Sequence, residues 1–226
     1  MEEALSSKMD IKALIFDMDG LLFDSERIVQ RSWEMAGDEL GIPHMGDVIY
    51  HTLGMNRTGR NEYFRKYIRE DFPFEEFGRL TRDNFWKIVD KEGLPLKKGV
   101  KELLAYGKAQ GYKMAVATSS SREYAMGNLI RAGIDPYFDS VICGDMVKKA
   151  KPDPEIYQKA CESLGIQPEY CMAFEDAPGG ILSAHQAGMQ VIMVPDLVQP
   201  DGELEKIAFR ICKDLREVIE ILEEQR

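Results

Sequence analysis

Four helical patterns from residue 99 onward each stop at a glycine, and a short apolar run follows each one. Gly99–Gln110 stops at Gly111 and leads to Lys113–Ala117; Ser121–Ala132 stops at Gly133 and leads to Ser140–Cys143. Pro154–Leu164 stops at Gly165 and leads to Tyr170–Phe174, and Pro178–Ala187 stops at Gly188 and leads to Gln190–Val194. A glycine just past the last helical residue takes the left-handed conformation that closes a helix. The runs are continuous rather than alternating, as strands are when helices cover both of their faces. Ile11–Phe16 and Ala208–Cys212 supply two further runs of this kind. Strands alternating with helices of about ten residues specify βαβ units, and hence an α/β fold with a doubly wound, Rossmann-like parallel sheet.

One stretch breaks the rhythm. From Glu26 to Leu94 no strand is legible, and amphipathic helical patterns run over Arg27–Leu40, Thr58–Arg69 and Phe74–Lys91. Aromatics are frequent there, and most of Trp33, Tyr63, Phe64, Tyr67, Phe72, Phe74, Phe77, Phe85 and Trp86 read as the core of a small bundle. The expected organisation is an α/β core from residues 1–25 and 95–226, with an all-helical cap domain, residues 26–94, inserted after the first strand.

In an open parallel sheet, ligands bind just beyond the carboxyl ends of the strands. Asp17 and Asp19 follow the first run, Thr118 and Ser119 the second, Lys151 the third after a loop, and Glu175 and Asp176 the fourth. Carboxylates gathered at one edge repel, and burying them costs free energy unless a cation compensates. Hard oxygen donors with room for water suit Mg²⁺, which takes one or two carboxylates plus a substrate phosphate. Asp17, Asp19, Glu175 and Asp176 are therefore the metal candidates. Lys151 adds a fixed positive charge, so metal and lysine together offset the carboxylates and still attract a phosphate dianion. Gly20 lets the backbone turn tightly after the aspartates. Amides of the Asp17–Gly20 loop and of the Thr118–Ser120 turn, Ser119 among them, can form a nest for phosphate oxygens.

Composition narrows the partner. The 226 residues carry a net charge of −10 with no basic stripe, which argues against nucleic acid. No segment approaches the roughly 18 apolar residues of a membrane span, and MEEALSSKMD is too acidic for a signal peptide. Cys143, Cys161, Cys171 and Cys212 show neither a CxxC pair nor zinc spacing and lie in apolar surroundings. They read as buried thiols in a reducing cytoplasm. A monomer is expected.

In order along the chain, DMDGLLFDS, ATSS, the lysine of KKAKPDP, and EDAPGG followed by AGM resemble the four motifs of the haloacid dehalogenase-like superfamily of phosphatases. The resemblance covers residues 10 to 226. It is to the subgroup with a helical cap after the first strand, which includes β-phosphoglucomutase and related sugar-phosphate phosphatases. It implies that Asp17 is the nucleophile and forms an aspartyl-phosphate. Asp19 would be the general acid/base, Thr118 would hydrogen-bond the phosphoryl group, and Lys151 would bridge that group and Asp17. Asp17, Asp176 and the Asp19 backbone carbonyl would hold Mg²⁺, with Glu175 ligating directly or through water.

Within that superfamily the residues choose a branch. The dehalogenases lack an acid at the position of Asp19. Phosphonoacetaldehyde hydrolases use a cap lysine as a Schiff base, whereas the corresponding loop here, LGMNRTG, presents Arg57. Arginine forms no imine at neutral pH but binds hydroxyl or phosphate through its planar fork, so Arg57 is a substrate-binding candidate. β-Phosphoglucomutases carry a histidine five residues after the aspartate that corresponds to Asp24, and Val29 stands there; His44, His51 and His185 lie elsewhere. The expectation is a Mg²⁺-dependent phosphatase of small phosphorylated metabolites, sugar phosphates by analogy. A phosphosugar mutase is the first alternative. A catalytically silent binding protein is the second, opposed by the complete set Asp17, Asp19, Lys151 and Asp176.

Overall fold

In this computed structural model, which describes residues 10–52 and 57–225, the first apolar run forms the middle of the sheet. Strand β1 (Ala13–Phe16) lies between β2 (Lys113–Ala117) and β4 (Cys171–Glu175), with Ala13 opposite both Lys113 and Cys171. Beyond β2 lies β3 (Ser140–Ile142); beyond β4 lie β5 (Gln190–Met193) and β6 (Arg210–Ile211). The order is β3-β2-β1-β4-β5-β6, and every pair is parallel. All four residues of β1 and all five of β4 are buried, which is why both read as unbroken apolar runs. Successive strands run outward to opposite sides of β1, so the chain switches direction between β1 and β4. A crevice opens beyond the carboxyl ends at such a switch point.

Helices cover the two faces according to residue parity. Ala13, Ile15, Ala115, Ala117, Cys171 and Ala173 face α7 (Glu155–Leu164) and α8 (Pro178–Gln186) in one buried cluster. Leu14 and Met114 turn to the other face, where α5 (Val100–Ala109) approaches so closely that Gly107 has room for no side chain. A Cβ there would stand 2.8 Å from Met114 Sδ. The helix α6 (Arg122–Ala132) follows β2, and α9 (Leu204–Ile207) precedes β6. The four helix-stop glycines, 111, 133, 165 and 188, take φ between 67° and 88°, the conformation that their position demands.

The chain divides into two compact units, one formed by Met1–Phe23 with Leu96–Arg226, the other by Asp24–Pro95. Helices α1 (Ser25–Glu39), α2 (Met45–His51), α3 (Arg57–Tyr67) and α4 (Phe74–Glu92) build the second unit. Its core is aromatic: Trp33 meets Phe64 and Phe77 edge to face at centroid distances of 5.7 and 5.6 Å, and Phe72 packs on both phenylalanines. Of the nine aromatics named above for this stretch, Tyr67 and Trp86 are exposed. Arg31 on α1 grips Glu92 on α4 through two hydrogen bonds of 2.7 and 2.9 Å.

Three helices were not anticipated, and of these α9 is a single turn of four residues. The α2 pattern is too short to show a period. By contrast α10 (Leu215–Glu224) buries Leu215, Val218 and Leu222, a legible three-and-four spacing, and Asp214 caps it by accepting from the Arg216 N–H at 2.9 Å.

Candidate active site

β1 delivers its first carboxylate in a fixed position. The Asp17 N–H donates to Phe174 O at 3.0 Å, extending the β1–β4 pairing by one residue. The chain then folds back on itself. Leu22 and Phe23 N–H groups both donate to Met18 O, and Gly20 N–H donates to Phe23 O. Gly20 has φ 84°, and a side chain there would run into the Asp176 carboxylate. A glycine is thus required twice over, for its backbone and for the space above it. Gly180, in the first turns of α8, does the same for Glu175, whose carboxylate fills the place of a Cβ.

Three strand ends converge on one ammonium group. Lys151 Nζ lies 2.6 Å from Asp17 Oδ1, 2.6 Å from Glu175 Oε1 and 3.0 Å from Ala117 O. Glu175 Oε1 also accepts from the hydroxyl of Tyr157, a fully buried residue of α7, and the Lys151 ammonium stands 5.0 Å from that ring's centre. Burial, then the Glu175 charge, push the Asp17 carboxyl up to about 8 despite Lys151. Burial and then Asp17 likewise raise Asp176 well above the usual carboxylate range. Burial works against the Lys151 ammonium, but Asp17 and Glu175 overcome it and hold its pKa above the ordinary lysine value.

Those perturbed values describe a site short of positive charge. Asp17, Glu175 and Asp176 bring ligand oxygens within 4.8 Å of one another, and one lysine faces three carboxylates. A divalent cation would offset the remaining two, and all-oxygen donors suit a hard ion. Nearby, Asp196 pairs with Lys97 at 2.6 Å through one oxygen, while its other oxygen is buried without a hydrogen-bond partner. The Asp196 charge adds to the field that raises Asp176.

The remaining candidates separate. The Asp19 carboxylate stands apart from the metal group. One of its oxygens accepts from Ser120 Oγ at 2.7 Å, the other from Tyr124 OH at 3.1 Å. Thr118 is buried, its N–H donating to Ile142 O at 3.0 Å and its Oγ1 accepting from the Ser120 N–H at 3.1 Å. Ser119 is exposed, and its carbonyl lies where a Cβ on Gly144 would be. Arg57 opens α3 in the other unit; its side chain lies outside the described residues, as do residues 53–56 of the LGMNRTG loop.

Sequence comparison agrees with this geometry. The haloacid dehalogenase-like hydrolase pattern matches residues 14–194. The chain belongs to the haloacid dehalogenase-like hydrolases. It is 32% identical over 216 residues to the phosphorylated carbohydrates phosphatase of Thermotoga maritima, covering 95% of this chain and 99% of that one. Among solved structures, a hydrolase of this family from Deinococcus radiodurans, with bound phosphate and sodium, superposes with a TM-score of 0.82 at 26% identity, covering 96% of each chain. CbbY from Rhodobacter sphaeroides, in complex with xylulose-(1,5)bisphosphate, gives 0.69 at 25% identity, covering 92% of this chain and 96% of the other.

The hydroxyls of Tyr157, Tyr124 and Ser120 were not singled out from the sequence, although Ser120 reads there as part of a turn whose amides face phosphate. Both tyrosines sit in the first turns of the helices that follow the ATSS and Lys151 segments. A hydroxyl-bearing aromatic just beyond a strand's carboxyl end is a signal that could have found them. No helix among the described residues is long and apolar enough to cross a membrane.

Proposed function

We propose that this hydrolase is a Mg²⁺-dependent phosphatase of small phosphorylated carbohydrates that works through an aspartyl-phosphate on Asp17. The observation that carries this is Lys151 Nζ held 2.6 Å from both Asp17 and Glu175, with Asp176 completing a group of oxygens suited to a metal. Such an arrangement can accept a phosphoryl group beside a carboxylate nucleophile without leaving its charge unopposed.

Mg²⁺, held by Asp17, Asp176 and Glu175, would supply positive charge against the phosphoryl oxygens. The chain's own groups do the rest. An oxygen of the Asp17 carboxylate attacks phosphorus, and the bond from phosphorus to the ester oxygen breaks. Asp19 gives that leaving oxygen its proton, then takes one from the water that cleaves the aspartyl-phosphate. Ser120 and Tyr124, each donating to a different Asp19 oxygen, fix the direction in which that carboxyl points. Thr118 and Lys151 hold the phosphoryl oxygens in place. Four free, buried cysteines fit a reducing compartment such as the cytoplasm.

The substrate class rests on the Thermotoga phosphatase and on the sugar bisphosphate bound by CbbY. Hydrolysis of p-nitrophenyl phosphate with and without Mg²⁺, by the wild type and by Asp17→Asn, tests the chemistry. A panel of sugar phosphates tests the class. Metal-independent turnover, or turnover surviving in Asp17→Asn, overturns the mechanism.

A further inference from the structure

Strand β5 ends at the same edge as the carboxylates and brings a further acidic side chain to it. Glu175 on β4 stands opposite Met193 on β5, and the Val194 N–H donates to Glu175 O at 2.8 Å. Asp176 follows Glu175 directly, and Asp196 lies two positions past Val194, so the two side chains leave adjacent strand ends. The Asp196 charge is felt at Asp176, whose carboxyl it helps to raise.

The two oxygens of Asp196 are treated unequally. One accepts from Lys97 Nζ at 2.6 Å. Lys97 is itself fixed, its N–H donating to Leu22 O at 2.9 Å beside the Phe23–Leu96 bridge. The other Asp196 oxygen is buried and meets no donor among the described residues. A buried acceptor without a donor costs about 1–3 kcal/mol. Such an atom beside a functional centre points to a donor that arrives from outside the chain. The neighbouring strand end does not supply one, because ionised Glu175 and Asp176 only accept. A bound divalent cation changes that. Mg²⁺ keeps several of its waters, and their hydrogens point away from the metal.

We propose that Asp196 is a positioning residue of the metal centre. Its second oxygen accepts a hydrogen bond from a water carried by the Mg²⁺ that Asp17, Glu175 and Asp176 hold, while Lys97 fixes the first oxygen. This rests on the metal reading given above and adds to it an outer carboxylate supplied by the end of β5. Asp196 touches neither the phosphoryl group nor the reacting atoms. Removing an outer partner of this kind weakens metal binding by about ten- to a hundredfold.

Asp196→Asn keeps the size of the side chain and turns one acceptor into a donor. Lys97 claims the oxygen that the amide retains, so the NH₂ group takes the place of the second oxygen and opposes a water's hydrogens. Mg²⁺ binding is measured by isothermal titration calorimetry on the full chain freed of metal. Asp196→Asn is expected to raise the Mg²⁺ Kd by about tenfold or more, and lost p-nitrophenyl phosphate turnover is expected to return as Mg²⁺ is raised. Lys97→Met leaves the carboxylate in place, and is expected to bind Mg²⁺ at least as tightly as wild type. Melts of the metal-free proteins check that both variants fold. Asp196→Ala, which removes both oxygens and adds no donor, repeats the test if the amide variant does not, with the same loss of affinity expected. An unchanged Mg²⁺ Kd in the Asp196 variant overturns the proposal. So does a loss in Lys97→Met as large as in Asp196→Asn, which would make the pair a structural tie. Failure of the metal reading shows up differently, as a wild-type protein that binds no Mg²⁺, and that result overturns both.

Discussion

Tyr157 donates its hydroxyl hydrogen to the same Glu175 oxygen that accepts from Lys151 at 2.6 Å. The buried carboxylate is thereby pinned from two directions, one charged and one neutral. Tyr157 is accordingly a positioning residue. Tyr157→Phe keeps the ring against Lys151 and removes only the hydroxyl. It should lower stability by about 1–3 kcal/mol in chemical denaturation, and weaken Mg²⁺ activation more than it lowers kcat at saturating metal. An unchanged Mg²⁺ half-saturation would mean that the hydroxyl serves packing alone.

Lys151→Met removes the one ammonium from among three carboxylates. Turnover should fall by about a thousandfold or more, since the phosphoryl charge loses its fixed counter-charge. The metal-free protein should also lose about 3–5 kcal/mol, the cost of leaving buried charge unpaired. Mg²⁺ should restore much of the stability but not the activity. A variant as stable as wild type without metal would contradict the electrostatic account.

Stability should depend on pH in a direction that metal reverses. The Asp17 carboxyl is raised in the fold from about 3.8 to about 8, so between those values the folded state binds more protons than the unfolded one. Its contribution is fully present below about pH 4 and is lost as pH rises through about 8. Thermal melts of metal-free protein should therefore decline from pH 5 to 9, and added Mg²⁺ should stabilise increasingly across that span, because a cation favours the ionised form. Asp17→Asn should flatten the metal-free decline; an equal decline in that variant would place its origin elsewhere.

Ser120→Ala and Tyr124→Phe each free one oxygen of Asp19. For an alkyl phosphate, whose leaving oxygen needs a proton, kcat should drop by about tenfold, part of the hundredfold or more carried by general acid catalysis. For p-nitrophenyl phosphate, whose leaving group departs unaided, the drop should be small. Equal losses on both substrates would show that the two hydroxyls do something other than orient the acid.

Gly20→Ala should be among the most damaging single-methyl changes in the chain. The new Cβ meets the Asp176 carboxylate in a backbone of φ 84°. Activity should be abolished, with a stability loss of about 1–3 kcal/mol from the strained conformation. Circular dichroism would check that the fold persists.

What the sequence revealed and what it hid follow from the range over which each signal acts. Continuous apolar runs and helix-closing glycines are local consequences of burial and backbone handedness, so the parallel sheet and the carboxylates at its edge were legible. The partner of each carboxylate was not. Lys151 lies 134 positions from Asp17, and nothing local says that its ammonium also reaches Glu175. Asp19 reads as a metal candidate because it stands beside Asp17, yet its side chain turns to Ser120 and Tyr124, hydroxyls from a different strand end. Tyr67 and Trp86 mark the opposite limit. Their spacing suits a helical core, but a four-helix unit this small has faces that no neighbour covers.

The chain leaves the α/β unit at Phe23 and re-enters it at Leu96, and these two residues form an antiparallel bridge, with Lys97 N–H donating to Leu22 O at 2.9 Å. Everything from Asp24 to Pro95 is therefore, to the sheet, a single long turn whose stem is already stitched. Such a stem tolerates exchange: the segment it carries can be shortened, lengthened or swapped for another without moving Asp17 or the strand before it. One hydrolytic centre can thus be refitted for new molecules by editing a stretch of sequence that the centre itself does not contain.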